Sequence, residues 1–494
     1  MKTLQNIIKN LKIKALTGDA DVEISGVEFD SRKIKDGNMF VATRGLAVDG
    51  HSYIPMAIEK GAKAIVCEEV PASLSVVSQR LSVIVVENSA EALGLIACQW
   101  YNQPSENLIL TGVTGTNGKT TTATLLYEIF RKLGYKAGLI STVCNYIDSK
   151  PVPTNYTTPD PLELNALLAE MVAAGCQYAF MEVSSHSVEQ HRIAGLHFKG
   201  AIFTNLTHDH IDYHLTFENY LKAKKRFFDD LPADAFALTN ADDRNGMVML
   251  QNTKAAKYTY SLRTAANFKT KILEHDFNGM LLEINGKEVH VQFIGRFNAS
   301  NLTDIYGAAT LLIGRDKLPV SDIELLQIIS ALHSVSGRFE TIRAPQGYTA
   351  IVDYAHTPDA LQNVISTIND ILQNTGGDLI TVVGCGGDRD RSKRPVMARE
   401  AVDGSAKAIL TSDNPRNEDP QEILNDMLAG LDRGQKQRTL VIADRREAIK
   451  TACSFAKKGD VVLIAGKGHE DYQIVKGVKH HFDDREEVKT IISY

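Results

Sequence analysis

Short apolar, β-branched runs alternate with segments of helical period along most of this 494-residue chain, the pattern of mostly parallel sheets covered by helices. At the N-terminal end the pattern predicts strands at 22–29, 39–43, 64–67 and 83–86, with helices at 53–60 and 90–100. The polar, proline-bearing stretch 101–106 reads as a linker and sets a boundary near residue 105. An apolar strand at 107–113 follows, then a glycine-rich turn and a helix at 120–133 that Gly134 stops; strands at 178–183, 201–204 and 235–239 continue the alternation. Between roughly 255 and 297 the helical period lapses, and 279–293, with Asn285-Gly286 at its centre, predicts an antiparallel hairpin inserted in the domain. Helices resume at Asn298, and beyond Gly337-Arg-Phe-Glu340 a third unit shows strands at 349–352, 379–383, 408–412 and 461–465. The expected fold is α/β in three domains: a small N-terminal α/β domain (1–104), a central phosphate-loop domain on a mostly parallel sheet (105–340), and a C-terminal Rossmann-like α/β domain (341–494).

Composition narrows the setting. With 44% hydrophobic and 23% charged residues the chain can bury large cores, yet it has no apolar run of membrane-spanning length and no hydrophobic signal region at its start. Six cysteines, Cys67, Cys98, Cys144, Cys176, Cys385 and Cys453, lie without close pairs or metal-ligand spacing and read as reduced packing residues. A net charge of −6 argues against a broad nucleic-acid surface, so any anionic substrate must meet local clusters. The expectation is a cytoplasmic monomer acting on small molecules, with neither nucleic acid nor membrane as partner. Four Asn-x-Ser/Thr sequons, at Asn155, Asn205, Asn298 and Asn301, carry no meaning without export.

The most informative segment is Thr111-Gly-Val-Thr-Gly-Thr-Asn-Gly-Lys-Thr-Thr-Thr122, set between strand and helix. Glycines turn backbone N–H groups onto a polyphosphate, the helix N-terminus adds partial positive charge, Lys119 reaches the terminal phosphates, and the Thr120 hydroxyl can hold Mg²⁺. The strict pattern wants glycine where Val113 stands; here it lies one residue earlier, at Gly112. Met181-Glu-Val-Ser-Ser-His-Ser187 and Thr204-Asn-Leu-Thr-His-Asp-His-Ile-Asp-Tyr-His214 follow strands expected beside this loop, so Glu182 and His210 can converge on a nucleotide-linked cation, with a second metal in reach. His208, Asp209, His210, Asp212 and His214 would also suit a zinc hydrolase, but the adjacent phosphate loop favours magnesium. Arg192, Lys199, Lys222, Lys224, Lys225 and Arg226 give the domain cationic reach. In the third unit every strand ends in a polar segment: 353–359, 384–390, 413–418 and 466–470, at the edge where open α/β sheets bind ligands. Arg389 and Arg416 can fork onto carboxylates there, and Glu470 can receive an ammonium; equally, Asp413 or Asn414 can cap a helix and Arg416 can pair with Glu418.

Taken together, Thr114-Gly-Thr-Asn-Gly-Lys-Thr120, Glu182-Val-Ser-Ser-His186, the 205–214 segment, Gly295-Arg-Phe-Asn-Ala-Ser-Asn301, Ser336-Gly-Arg-Phe-Glu340, Asp353-Tyr-Ala-His-Thr-Pro358 and Asp413-Asn-Pro-Arg416 closely resemble the Mur ligases, across the whole chain. The family's phosphate loop carries this same form, which accounts for the shifted glycine. The resemblance implies an ATP-dependent, ADP-forming ligation in peptidoglycan precursor synthesis: a D-glutamate γ-carboxylate of a UDP-muramoyl dipeptide becomes an acyl phosphate, and the amine of diaminopimelate displaces phosphate. By the same resemblance Gly115, Thr116, Asn117, Gly118, Lys119, Thr120, Thr121, Asn301, His333, Arg338 and Asp353 contact ATP, the last four across a domain junction that closes. Thr120 and Glu182 serve the nucleotide's Mg²⁺, while His210 and a lysine carbamylated by CO₂, assigned to Lys224 ahead of Lys222 and Lys225, hold a second ion. Lys119, Lys224, His210 and Glu182 form the catalytic set. The muramoyl-dipeptide side maps onto Thr157, Thr158, Ser184, Gln190 and Arg192, with Ser31 near the uridine diphosphate; local sequence alone reads 157–159 as a helix-start turn. Amino-acid choice falls to Arg389, Asp413, Asn414, Pro415, Arg416, Gly466 and Glu470. The rivals are a folylpolyglutamate synthetase-like ligase, the same ligase using L-lysine, a nucleotide-switched binding protein and a metal hydrolase.

Overall fold

The computed structural model describes residues 1–45, 48–70, 81–154, 156–207 and 209–493, and of Asp212 the backbone alone; Asn155 and His208 lie outside the described residues. The fold is α/β, built on three principal sheets. In the N-terminal sheet the strands Gly26–Glu28, Asn38–Val41, Ala64–Cys67 and Ser82–Val86 run parallel, and Ile13–Thr17 closes the edge antiparallel. The segment read as one strand at 22–29 is two, because Ser25 turns out of register to bond Gly37; Glu23–Ile24 pairs instead with Lys2–Thr3. Nor is 101–106 a loose linker: Pro104–Asn107 forms a 3₁₀ turn in which Pro104 and Ser105 are buried, and the Ser105 hydroxyl accepts from the His197 amide.

The central sheet has eleven strands in the order Lys150–Val152, Asn145–Ile147, Ala137–Ile140, Tyr178–Glu182, Ile109–Thr114, Gly200–Phe203, Phe236–Asn240, Ala256–Ser261, Phe268–Asp276, Gly279–Ile284, Lys287–Val291. Strands from Ala137–Ile140 through Phe268–Asp276 are parallel; the rest are antiparallel. The expected hairpin forms, with Asn285 at φ 46° and Gly286 at φ 82°, the left-handed pair a two-residue turn needs. It is not a separate insertion, however, because Phe268 pairs beside Tyr260 and draws the meander into the main sheet. One face is covered by helices Lys119–Lys132, Arg296–Arg315 and Asp322–Ser330 through Leu126, Phe130, Leu302, Ile305 and Leu325; the other by Pro161–Ala173 and Phe217–Asp229 through Leu164, Leu168, Tyr220 and Phe228. Each such fully buried side chain contributes about 1.5–3 kcal/mol relative to exposure.

The third sheet runs Glu340–Arg343, Thr349–Asp353, Val461–Ala465, Leu379–Cys385, Lys407–Ser412, Thr439–Val441, all parallel except the first. A buried ion pair, Arg445 Nε to Asp484 Oδ1 at 2.7 Å, ties helix Arg445–Phe455 to the last helix, Asp484–Ile492, and Arg445 also bonds the Ala465 carbonyl where a central strand ends. The cysteines are all free thiols, five of them buried. In the central sheet the chain leaves Ile109–Thr114, passes through its helix and re-enters two places away at Ala137–Ile140, while Gly200–Phe203 lies on the other side. Strand order reverses there, which opens a crevice at the carboxyl edge. The carboxyl ends of the third sheet face the same crevice.

Candidate functional site

A cleft of about 1130 Å³ separates the two sheet edges, lined on one side by the phosphate loop and on the other by residues of the third domain. The loop's shape is set by Gly115 at φ 151° and Gly118 at φ 90°. A Cβ on Gly115 would stand 1.8 Å from Thr204 Oγ1, and that hydroxyl donates to the Asn117 carbonyl at 2.6 Å, so glycine is what lets strand and loop meet. Asn205 completes the cradle: its carbonyl accepts from Thr116 N at 2.8 Å and its Oδ1 from Asn117 N at 2.9 Å.

Two lysines converge on this loop. Lys119 Nζ donates to the carbonyls of Gly115 and Thr116 at 3.0 and 2.8 Å; Lys224 Nζ, fully buried on helix Phe217–Asp229, donates to Gly115 at 2.8 Å and lies 4.8 Å from the Tyr220 ring centre. Among the described residues neither ammonium has a carboxylate at ion-pairing distance. Burial lowers both pKa values, Lys224's well below the ordinary amine range; at Lys119 Glu182 and Asp209 oppose the shift and Arg338 adds to it, while at Lys224 Lys119 adds to it and Asp209 opposes. Lys222 and Lys225 are otherwise occupied, paired with Glu218 and Asp229.

Glu182, 1% exposed at the end of its strand, accepts on Oε1 from Thr120 Oγ1 at 2.9 Å and from Thr142 N at 2.7 Å, while its buried Oε2 has no hydrogen-bond partner among the described residues. An orphaned carboxylate oxygen beside the loop threonine suits a hard cation, which takes several oxygen ligands. His210 sits at φ 54° with Nε2 3.4 Å from Asp209 Oδ2. Withdrawal from water keeps its imidazole neutral, against Asp209 and with the help of His186, Lys119 and Lys224. Of the five residues that suggested a zinc hydrolase, Asp209 and His210 line the cleft, whereas buried His214 contacts Ser185 Oγ at 2.9 Å. His208 and the Asp212 side chain lie outside the described residues.

Arg338, just before the first strand of the third sheet, bridges the junction: Nη2 donates to Thr120 Oγ1 at 3.1 Å and its guanidinium stacks 4.3 Å from the Tyr354 ring centre. Asn117 Nδ2 bonds Asp359 Oδ2 at 3.0 Å across the same gap. Asn301 and Asp353 border the cleft, Asp353 accepting from Phe339 N and Ala355 N at 2.6 and 2.7 Å, with burial raising its pKa. His333 does not join them; it is exposed, near Glu128. Beyond Glu182, Thr158 Oγ1 bonds the Glu182 carbonyl at 2.8 Å and Thr157 meets Thr142 at 3.0 Å, so the turn at 157–159 is tied to the site and the helix after it is capped by Asp160. Ser184 caps helix Ser185–Glu189, and Arg192 spans Gln190 Oε1 at 2.7 Å and the Thr158 carbonyl at 2.7 Å. Ser31 does not line the cleft and is buried against Met56.

At the far end Arg389 and Arg416 border the cleft with Asn414, Gly466 and Glu470; Pro415 is buried in the same turn. Arg416, at φ 53°, is fixed by backbone bonds to the strand Tyr472–Val475 and by Nη1 to the Gly387 carbonyl at 2.7 Å. The alternatives open for this turn are overturned: Glu418 is bound by Arg394 at 2.8 Å, and the following helix is capped by Asp419. Among the described residues neither Arg389 nor Arg416 has an acidic partner. Lys467, which the sequence did not single out although its segment did stand out, is fully buried with Nζ 3.3 Å from Glu470 Oε2 and 3.5 Å from Asp413 Oδ1. Burial and Asp413 raise the Glu470 pKa, Lys467 and Asn414 opposing.

A glycine cradle, two unpaired lysines and a half-satisfied acid, faced by a second α/β domain, define a phosphate-loop nucleotide enzyme with a second binding end. Family models described as Mur ligase family, catalytic domain, Mur ligase middle domain, and Mur ligase, glutamate ligase domain match residues 23–101, 113–309 and 337–468. The chain belongs to the Mur ligase family. It is 63% identical over 490 residues to the UDP-N-acetylmuramoyl-L-alanyl-D-glutamate–2,6-diaminopimelate ligase of Parabacteroides distasonis and 59% identical to that of Bacteroides fragilis, covering 99% of each chain in both cases. A solved structure of a ligase of that name superposes at a TM-score of 0.67 with 33% identity, covering 100% of this chain and 99% of that one.

Gly115→Ala should keep the fold, read by circular dichroism, while weakening ATP binding by about 100-fold or more, because displacing Thr204 shifts the loop by about an ångström. Calorimetry showing unchanged ATP affinity would contradict the role given to this glycine.

Proposed function

We propose that the chain joins 2,6-diaminopimelate to the D-glutamate γ-carboxylate of UDP-N-acetylmuramoyl-L-alanyl-D-glutamate, with ATP converted to ADP and phosphate. One observation carries the reading: a single cleft is lined at one end by a phosphate loop carrying Lys119 and at the other by two arginines that have no acidic partner among the described residues. The first end fits a polyphosphate and an acceptor carboxylate, the second an amino acid with an extra carboxylate.

An amine cannot readily expel oxide from a carboxylate, so the acceptor oxygen first attacks the γ-phosphorus, ADP leaves, and the resulting acyl phosphate then loses phosphate to the amine. The chain's part is positioning and charge neutralisation. Loop N–H groups and the N-terminus of helix Lys119–Lys132 cradle phosphate oxygens, and Lys119 turns from loop carbonyls to the γ-phosphate. Thr120 and Glu182 would hold magnesium, and the fit rests on the unsatisfied Glu182 Oε2. When bound, magnesium neutralises charge on the phosphates. Arg338 and Asp353 order the nucleotide from the junction side and Asn301 from beside the phosphate loop, and His333 is left to meet the part of ATP that projects out of the cleft. Thr157, Thr158, Ser184, Gln190 and Arg192 receive the muramoyl dipeptide, with Ser31 toward the uridine diphosphate.

Lys224 is assigned a carbamate. Burial and the neighbouring Lys119 favour its neutral amine, the form that adds CO₂ with loss of a proton, and the product is an anion beside neutral His210 that suits a second metal ion. Protein equilibrated with ¹³C-labelled bicarbonate should show one carbamate carbon resonance that Lys224→Arg lacks; a resonance surviving that change would remove the assignment.

Diaminopimelate differs from lysine by one carboxylate, so a guanidinium set to receive it is left unpaired by lysine at a cost of roughly 2–5 kcal/mol. Arg416→Ala should therefore abolish discrimination between the two amino acids, scored by mass spectrometry of products formed from each. Retained preference for diaminopimelate would refute the role of Arg416. A folate-directed ligase has no use for this arginine pair or for the domain matched over 23–101. Among the described residues no helix is long and apolar enough to cross a membrane. The reading takes the enzyme as a cytoplasmic monomer, its location following from ATP and a UDP-linked substrate, which are cytoplasmic.

A further inference from the structure

Resting on the reading that Arg416 receives a substrate carboxylate, we infer that Arg394 is a positioning residue for amino-acid selection, which acts by holding Glu418 away from Arg416. Glu418 lies two residues from Arg416 in the same turn, and unrestrained it is the nearest acid in sequence able to neutralise that guanidinium. It is not free to do so. Arg394, fully buried on helix Lys393–Asp403, donates from Nη2 to Glu418 Oε1 at 2.8 Å and from Nη1 to Oε2 at 2.9 Å, and the Asp388 amide adds a third bond at 2.5 Å. Asp426 Oδ2 accepts from the same Nη1 at 2.8 Å, and the Gly386 carbonyl from Nη2 at 3.3 Å.

The geometry spends the acid on a residue that never meets substrate. A bidentate fork on a carboxylate already bonded to a backbone amide leaves little acceptor capacity over. Arg416, meanwhile, spends one N–H on the Gly387 carbonyl and keeps its remaining donors. Arg394 is too deep to touch substrate itself, so its influence passes through Glu418. Its removal releases a carboxylate that competes with the substrate's for the same guanidinium.

The test is kinetic and uses the full-length enzyme. R394Q should raise the KM for diaminopimelate about tenfold or more with the KM for ATP moved less than about twofold, as expected when Arg416 is available only a small fraction of the time. R394Q/E418Q, which removes the competitor's charge, should return the diaminopimelate KM to within about threefold of the parent. A merely structural role predicts the opposite, a double variant no better than the single one, and that result overturns the inference, as does R394Q with an unchanged diaminopimelate KM. If R394Q does not fold, R394K and R394K/E418Q give the same comparison, because a lysine cannot fork both Glu418 oxygens. R416A is assayed alongside: if it too leaves the diaminopimelate KM unchanged, the reading of Arg416 falls and this inference with it. If R416A raises that KM and R394Q does not, the inference alone falls.

Discussion

The Gly115 carbonyl holds two lysines at once, half-buried Lys119 at 3.0 Å and fully buried Lys224 at 2.8 Å, and the site is organised around that arrangement. Among the described residues neither amine has a carboxylate at ion-pairing distance. Glu182, which could have supplied one, is turned to Thr120 and the Thr142 amide instead. Burial holds Lys224 toward its neutral amine, so Lys119, the loop N–H groups and the N-terminus of helix Lys119–Lys132 are what remain to attract a polyphosphate. Glycine at 115 is what lets this happen, since its backbone turn aims the carbonyl at both ammoniums while Thr204 fills the space a side chain would occupy.

The two α/β units divide the work across the cleft. The central one supplies phosphate recognition at the point where its strand order reverses, and the third presents the ends of its strands to the same space. Contacts between the units include polar ones, Arg338 to Thr120 and Asn117 to Asp359, which begin or end on the phosphate loop or its helix, and apolar ones in which Ile294 and Phe297 pack with Phe339 and the third unit's core.

Much of this was legible in the sequence because it is local. The phosphate loop needs glycines and Lys-Thr in fixed order between strand and helix, and the parallel sheets follow from apolar runs separated by helical-period segments. Asn285-Gly286 announced its hairpin but not its attachment, because the pairing of Tyr260 with Phe268 depends on packing rather than turn chemistry. Charges were hardest to read. Lys467 and Arg394 look like ordinary solvated cations in sequence, and only tertiary packing buries them completely. Thr142 contributes a backbone amide, which no side-chain pattern can reveal. His333 and Ser31 came from family resemblance alone, and neither borders the cleft.

The central claim is that the cleft activates an acid by phosphorylating it. The direct measurement places ¹⁸O in the γ-carboxylate of the D-glutamate of the UDP-linked dipeptide and weighs the inorganic phosphate released during turnover with ATP and diaminopimelate. One labelled oxygen per phosphate is the predicted result; phosphate carrying no label would contradict the account.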